Sequence, residues 1–232
     1  MNTSCRLLTT IVAAALALGA GPAAAFDGIV ELAVKLDGKP SEARVLLRGR
    51  DVRIDAELEG VRTSLVVLGS NTDVLCQVLH PTRTWERVAL AAPRHDAERF
   101  LVEPLPPAEL LGRTVKGARL TDTKSGDTFD VWLDPTLGEA SVFDRVWRVL
   151  KRSDGSLALA LAGAGLKGFP VKLILKRRHG GVVEVEAQRA EARTLHDEAF
   201  APPPSYRQVS TGALREGSFK GAARELGNLF GR

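Results

Sequence analysis

Residues 28–58 read GIVELAVKLDGKPSEARVLLRGRDVRIDAEL. Val30, Leu32, Val34 and Leu36 alternate with Glu31, Ala33 and Lys35, the period of two that a half-buried strand requires. Asp37-Gly38-Lys39-Pro40 is turn chemistry. Arg44, Leu46 and Arg48 then alternate with Val45 and Leu47, Gly49-Arg50-Asp51 breaks the run, and Val52, Ile54, Ala56 and Leu58 alternate with Arg53, Asp55 and Glu57. Three amphipathic strands joined by tight turns predict an antiparallel meander with one apolar and one polar face.

The same pattern continues downstream. Thr63–Leu68, Asp73–Leu79 and Thr84–Leu90 read as strands, separated by Gly69-Ser70-Asn71 and by His80-Pro81-Thr82-Arg83. Residues 91–113 carry Pro93, Pro104, Pro106 and Pro107, with a short helix expected at Ala108–Leu111. Strands resume at Arg113–Thr121 and Thr128–Leu133. Gly138–Arg152 predicts a covering helix: Val142, Phe143, Val146, Trp147 and Leu150 form one stripe, with Arg145, Arg148, Lys151 and Arg152 opposite. Leu157–Leu166 is apolar and fits helix or strand equally. Pro170–Arg177 and Gly181–Ala190 predict a hairpin around His179-Gly180-Gly181. The expected fold is therefore mainly β (α+β), with one or two helices over a sheet.

Both ends differ from this body. Residues 1–25 have the form of a signal peptide: Arg6, the apolar run Leu7–Leu18, then Ala23 and Ala25 in A-x-A positions. Cleavage is expected between Ala25 and Phe26, sending the chain to the periplasm or outside the cell. Cys5 precedes the apolar run and Phe26 follows the cleavage point, so no lipid anchor is expected. Cys76 is then the only remaining cysteine, which excludes an internal disulfide; it sits in an apolar run and reads as an inert buried thiol. At the other end, residues 209–232 form a basic tail. Phe219, Ala222, Ala223, Leu226, Leu229 and Phe230 fall on one helical side and Lys220 and Arg224 on the other. The net charge is +4. The body between the ends is charge-balanced, which argues against a nucleic-acid binder.

Motifs for chemistry are sparse. The four histidines, His80, His95, His179 and His196, share no ligand spacing with one another or with Cys76, so no metal and no cofactor is expected. No nucleophile elbow, P-loop or dinucleotide fingerprint is present. Carboxylates lie scattered along strands, where alternation directs them to solvent. Lys172, Lys176, Arg177 and Arg178 form a basic cluster at the last hairpin, suited either to solvent or to lipid headgroups or a partner.

The order of short motifs carries a resemblance. Gly28-Ile29-Val30-Glu31 is followed by Gly49-Arg50-Asp51-Val52-Arg53-Ile54, then Val78-Leu79-His80-Pro81-Thr82-Arg83-Thr84-Trp85 and Leu111-Gly112-Arg113-Thr114-Val115-Lys116-Gly117-Ala118. Next come Val131-Trp132-Leu133, Gly168-Phe169-Pro170-Val171 and Phe200-Ala201-Pro202-Pro203-Pro204-Ser205-Tyr206. Over about 26–208 the chain resembles the exported bacterial family called domain of unknown function 4412. The resemblance implies a periplasmic domain similar in shape to the lipoprotein carriers: a curved antiparallel half-barrel, closed by helices over an apolar cavity that holds acyl chains. It implies no catalytic residue. On this reading Leu47, Ile54, Val66, Leu68, Cys76, Val78, Trp85 and Trp132 are the candidate lining. Lys172, Lys176, Arg177, Arg178, Lys220 and Arg224 are candidate headgroup or partner contacts. Three functions stay open: a lipid or lipoprotein carrier, a non-catalytic envelope module docking on a membrane or protein through its tail, and, with no motif behind it, a hydrolase whose residues meet only in three dimensions.

Overall fold

The structure, a computed structural model, describes residues 26–58, 61–90, 98–138 and 156–209. The expected helix at Gly138–Arg152, the signal segment, His95 and nearly all of the tail, with Lys220 and Arg224, lie outside the described residues. The elements are β1 (Asp27–Leu36), β2 (Lys39–Arg48), β3 (Asp51–Leu58), β4 (Val61–Leu68), β5 (Asn71–Leu79), β6 (Thr84–Ala89), β7 (Phe100–Leu110), β8 (Arg113–Asp122), β9 (Thr128–Asp134), α1 (Ser156–Gly163), β10 (Phe169–Lys176), β11 (Val182–Ala192), a 3-10 turn (Asp197–Phe200) and β12 (Arg207–Gln208). The strands form one curved open sheet in the order β12-β6-β5-β4-β3-β2-β1-β11-β10-β9-β8-β7. Two meanders, β1–β6 and β7–β11, are joined through the antiparallel β1–β11 pair.

Strand partners share a face, and neighbours along a strand alternate. On the inner face Val30, Val45, Ile54 and Leu65 are successive partners across β1–β4. Leu36, Val183, Leu175, Phe129 and Leu120 make a second row across β1, β11, β10, β9 and β8. Helix α1 settles the Leu157–Leu166 ambiguity: Leu157 and Leu161, one helical turn apart, pack into the cluster of that second row. Each such buried aliphatic side chain contributes about 1.5–3 kcal/mol.

The outer face of the same strands carries charge in register. Glu31 faces Arg44, Lys35 faces Glu184, Lys172 faces Glu186 and Arg119 faces Asp130, at 3.8, 3.8, 2.6 and 2.6 Å. Cross-strand pairs of this kind hold register more than they add stability. The expectation that carboxylates face solvent fails at Glu86, buried opposite Gln77, and at three aspartates. Asp122, Asp130 and Asp134 are buried, each against an arginine: Arg99, Arg119 and Arg113. Burial alone raises the Asp122 carboxyl, but Arg99 and the amides of Lys124 and Ser125 outweigh it and hold its pKa below the ordinary value.

The short helix expected at Ala108–Leu111 is instead the end of strand β7. Pro104, Pro106 and Pro107 are compatible with this strand because β7 is the sheet edge, where a missing N–H costs no ladder bond. A bulge between Leu105 and Ala108 takes up the irregularity.

Gly168 opens β10 with φ +128°, and a Cβ there would lie 2.5 Å from the backbone of Asp134. Only glycine fits both constraints. Gly168→Ala is expected to cost at least about 2 kcal/mol, through backbone strain and displacement of the β9 end, and chemical denaturation would measure it. Unchanged stability would show that β10 enters the sheet differently.

Candidate functional site

The structure divides the eight candidate lining residues between faces. Leu47 and Ile54 lie on the inner face with Val52 and Val45. Val66 and Cys76 are partners on the outer face, and Val78 is the partner of both Ser64 and Trp85 there. Trp132 stands opposite Gly117 and Lys172, beside the β10 bulge, and packs against the cluster that holds Val30, Leu47 and Phe169. Leu68 is exposed beside a register shift. The inner face also carries Val30, Val45, Val52, Val171 and Ala187, buried in one core cluster with Leu47.

The outer-face group has its own cover. After β11 the chain turns back and crosses the sheet as a strap. Arg193 N–H donates to Asp27 O, and Leu195, Ala199 and Phe200 then pack on Leu46, Val66, Cys76 and Ile29. Beyond the three prolines, Arg207 N–H donates to Arg83 O and Val209 N–H to Trp85 O, forming β12 parallel to β6. Strands β4 and β5 are consequently apolar on both faces, which explains Val66-Val67 and Leu75-Cys76 and why alternation fades there. Burial pushes the Cys76 thiol up despite Arg87 nearby, as befits an inert packing thiol.

Polar contacts fasten the strap at two points. Arg48 donates to Asp51 (2.7 Å), Asp197 (2.6 Å) and the carbonyl of Leu195 (3.3 Å), and its guanidinium lies 4.7 Å from the Phe200 ring centre. The hydrogen bonds to Asp51 and then Asp197 raise its pKa further. The second point is a chain of side chains. Ser64 Oγ lies 2.5 Å from Asp55, 2.8 Å from His80 Nε2 and 3.1 Å from Arg53 Nη2; His80 Nδ1 lies 3.0 Å from the Tyr206 hydroxyl; and Arg53 also donates to Ala199 O. Proton inventory assigns the donors. Ser64 gives its one proton to the Asp55 carboxylate, so His80 Nε2–H donates to Ser64. In the neutral imidazole, the form that its lowered pKa favours, Nδ1 then accepts from the Tyr206 hydroxyl.

This Ser–His contact is not a nucleophile with its base. Ser64 is wholly buried, and its proton points to Asp55, away from the imidazole. Read from residue order alone, His80 has no role beyond its turn, although the partners come from three motifs already noted: Arg53-Ile54, His80-Pro81 and the run ending in Tyr206. A second meeting of motifs joins Gly117 and Trp132. The indole crosses the side-chain-free Gly117 and donates to Pro106 O at 3.1 Å.

Among the expected headgroup contacts, Lys172 pairs with Glu186 and lies 5.9 Å from the Trp132 ring, so it belongs to the outer charge ladder. Lys176 and Arg178 are exposed at the hairpin end, and Arg177 is half-buried. His196 is exposed just before the 3-10 turn. Among the described residues, no group of three or more metal-ligating side chains occurs.

Burial, then Arg62 and Arg53, lower the His80 pKa from 6.5, against an opposing pull from Asp55. The unfolded chain titrates near the ordinary value, so it takes up a proton that the folded chain refuses. This contribution to stability is full above the unfolded value of 6.5 and is lost as pH falls below it toward the folded pKa. His80→Gln is expected to flatten the fall in denaturation midpoint between about pH 7 and about pH 5. Equal slopes in wild type and variant would refute the assignment. Tyr206→Phe should cost about 0.5–1.5 kcal/mol at neutral pH in the same assay.

Comparison with known proteins gives the following. The sequence profile described as Domain of unknown function (DUF4412) matches residues 26–206. An uncharacterized conserved protein from Thermus thermophilus superposes with TM-score 0.50 at 9% identity, over 80% of this chain and 91% of that one. A chain of the Pseudomonas aeruginosa MucA/MucB complex gives 0.49 at 12% identity, over 82% of this chain and 60% of that one. A LolA superfamily protein from Nitrosomonas europaea gives 0.36 at 11% identity, over 76% and 90%. At 9% identity the likeness to the Thermus thermophilus protein is one of fold. No curated protein matches the sequence. The matched region begins beside β1 and ends at Tyr206 of the strap, so it takes in both meanders and their fastening, and the chain belongs to the DUF4412 family.

Proposed function

We propose that this protein is an exported, non-catalytic carrier that takes up the acyl chain of a lipid or lipoprotein along its inner face. The observation that carries the reading is the apolar continuity of that face: the two registered rows described above run through eight strands without a charged side chain. Helix α1 packs against the cluster centred on β8–β11 and is absent from the cluster centred on β1–β3. A long apolar surface suits a chain-like ligand better than a compact polar one. Polar groups on the same face gather on β4, β5 and β6, at Thr63, Gln77 and Glu86. Gln77 is buried opposite Glu86, and its amide nitrogen has no hydrogen-bond partner among the described residues. It would meet the polar end of an amphiphile. Export follows from the reading of residues 1–25.

A second reading, docking through residues 209–232, is favoured by one feature. The described chain ends beside the sheet edge, where Val209 is fastened to Trp85, so the tail leaves from an edge and not from the core. Deleting 210–232 should then abolish capture of an envelope partner; unchanged fractionation and pull-down would remove this reading.

The carrier reading is tested by purifying the chain from a bacterial periplasm and recording native mass spectra before and after organic extraction. A bound acyl species lost on extraction is expected, with uptake of a fluorescent fatty acid afterwards. A clean unliganded mass with no uptake would sink it. Gln77→Leu should weaken fatty-acid binding about threefold to tenfold while leaving the sheet intact by circular dichroism.

A further inference from the structure

Three hairpin turns that are distant in sequence meet at one end of the sheet. They connect β1 to β2, β8 to β9 and β10 to β11. Asp37 N–H donates to Val182 O at 2.9 Å, and Val182 N–H donates back to the Asp37 carboxylate at 2.8 Å. Arg178 N–H donates to the Asp127 carboxylate at 3.0 Å, and Thr123 N–H to Arg99 O at 2.9 Å. A Cβ on Gly126 would lie 2.9 Å from Arg178 Cδ, so these two turns touch. The rim is one tied edge, not three independent tips.

Its charges are sorted. Asp37 and Asp127 each commit a carboxylate oxygen to backbone amides within the rim, and Asp122 is buried against Arg99. Glu184 pairs with Lys35. Lys39, Lys176 and Arg178 are exposed here, and the exposed acids beside them are Asp37, Glu184 and Glu98, of which the first two are engaged as just described. Apolar side chains stand among these cations. Four large hydrophobics are exposed among the described residues, and two of them are here: Val182 at the start of β11, and Leu101, 62% exposed, at the start of β7. Leu101 and Val182 thus stand at the β7 and β11 ends of a stretch of rim whose middle carries Lys176 and Arg178.

We propose that this rim is a docking surface for an anionic lipid bilayer. Exposed cations would meet headgroup phosphates while Leu101 and Val182 reach the boundary below them. The charge-balanced body of the chain offers no basic track along the sheet, which disfavours a nucleic-acid backbone as the occupant. The proposal does not depend on whether the inner face carries an acyl chain.

The test is flotation of the purified full chain with vesicles of phosphatidylcholine alone or with about 30% phosphatidylglycerol, at low and high salt. Binding only to the anionic vesicles, weakened by salt, is expected. The variant Lys39→Glu/Lys176→Glu/Arg178→Glu should lose affinity at least about a hundredfold, because each cation near such a surface is worth about fivefold. Leu101→Ser/Val182→Ser should weaken binding and leave its salt dependence in place. Circular dichroism of each variant would establish that the sheet persists. Equal binding to both vesicle types, no binding to either, or a folded rim variant that binds like wild type would overturn the proposal. So would loss of binding in Lys220→Glu/Arg224→Glu with the rim variant unaffected. Vesicle binding without fatty-acid uptake would count against the carrier reading alone.

Discussion

Strand β1 pairs with β2, its neighbour in sequence, and also with β11, so that Gly28 faces Ala192 and Leu36 faces Val183. Everything else rests on this second pairing. Without it the chain would be two separate meanders, each with an apolar face and two open edges. With it the two faces become one surface, and residues from β1–β3 share a core with Phe169, Val171 and Ala187. Such a contact closes a very long loop, so it costs entropy before it returns any and has to be fixed by many residues at once. The nine registered partners and the bulge between Glu31 and Leu32 are how β1 and β11 do so.

The strap solves a different problem. A wide antiparallel sheet with one covered face leaves the other to water, and here the outer face is treated in two ways. Across β1, β2 and β8–β11 it is a ladder of opposite charges. Across β2–β5 it is apolar and lies under residues 195–200, with Phe200 buried against Leu46 and Val66. The prolines after Phe200 hold the crossing extended, and His80, Arg53 and Arg48 fasten it. A half-buried histidine whose pKa is lowered holds its place best while neutral, so this fastening of the C-terminal segment to the sheet is sensitive to acid.

Much of the local structure was legible in the chain. Alternation located β1, β2 and β3, and Asp37-Gly38 and Gly49-Arg50 located their turns, because side-chain period and turn chemistry are properties of a few adjacent residues. Legibility failed where a distant segment changed the rules. Val66 and Cys76 were read as lining the same surface as Leu47, but the strap gives β4 and β5 a second buried face, and a strand covered on both sides no longer says which side is which. The prolines of β7 read as a break until the strand proved to be an edge. Asp122, Asp130 and Asp134 read as solvated because their arginines lie on other strands or loops.

The sequence by itself determined the fold class, most of the strands and the order of motifs that marks the family. These depend on local periodicity, on backbone requirements such as that at Gly168, and on residue order. Only the tertiary structure decided that β1 joins β11, that Ser64, His80 and Tyr206 meet, and that three separate turns make one cationic rim. Those facts rest on register between strands far apart in the chain. Register is set by the burial of all the paired rows together, and no short stretch of sequence contains it.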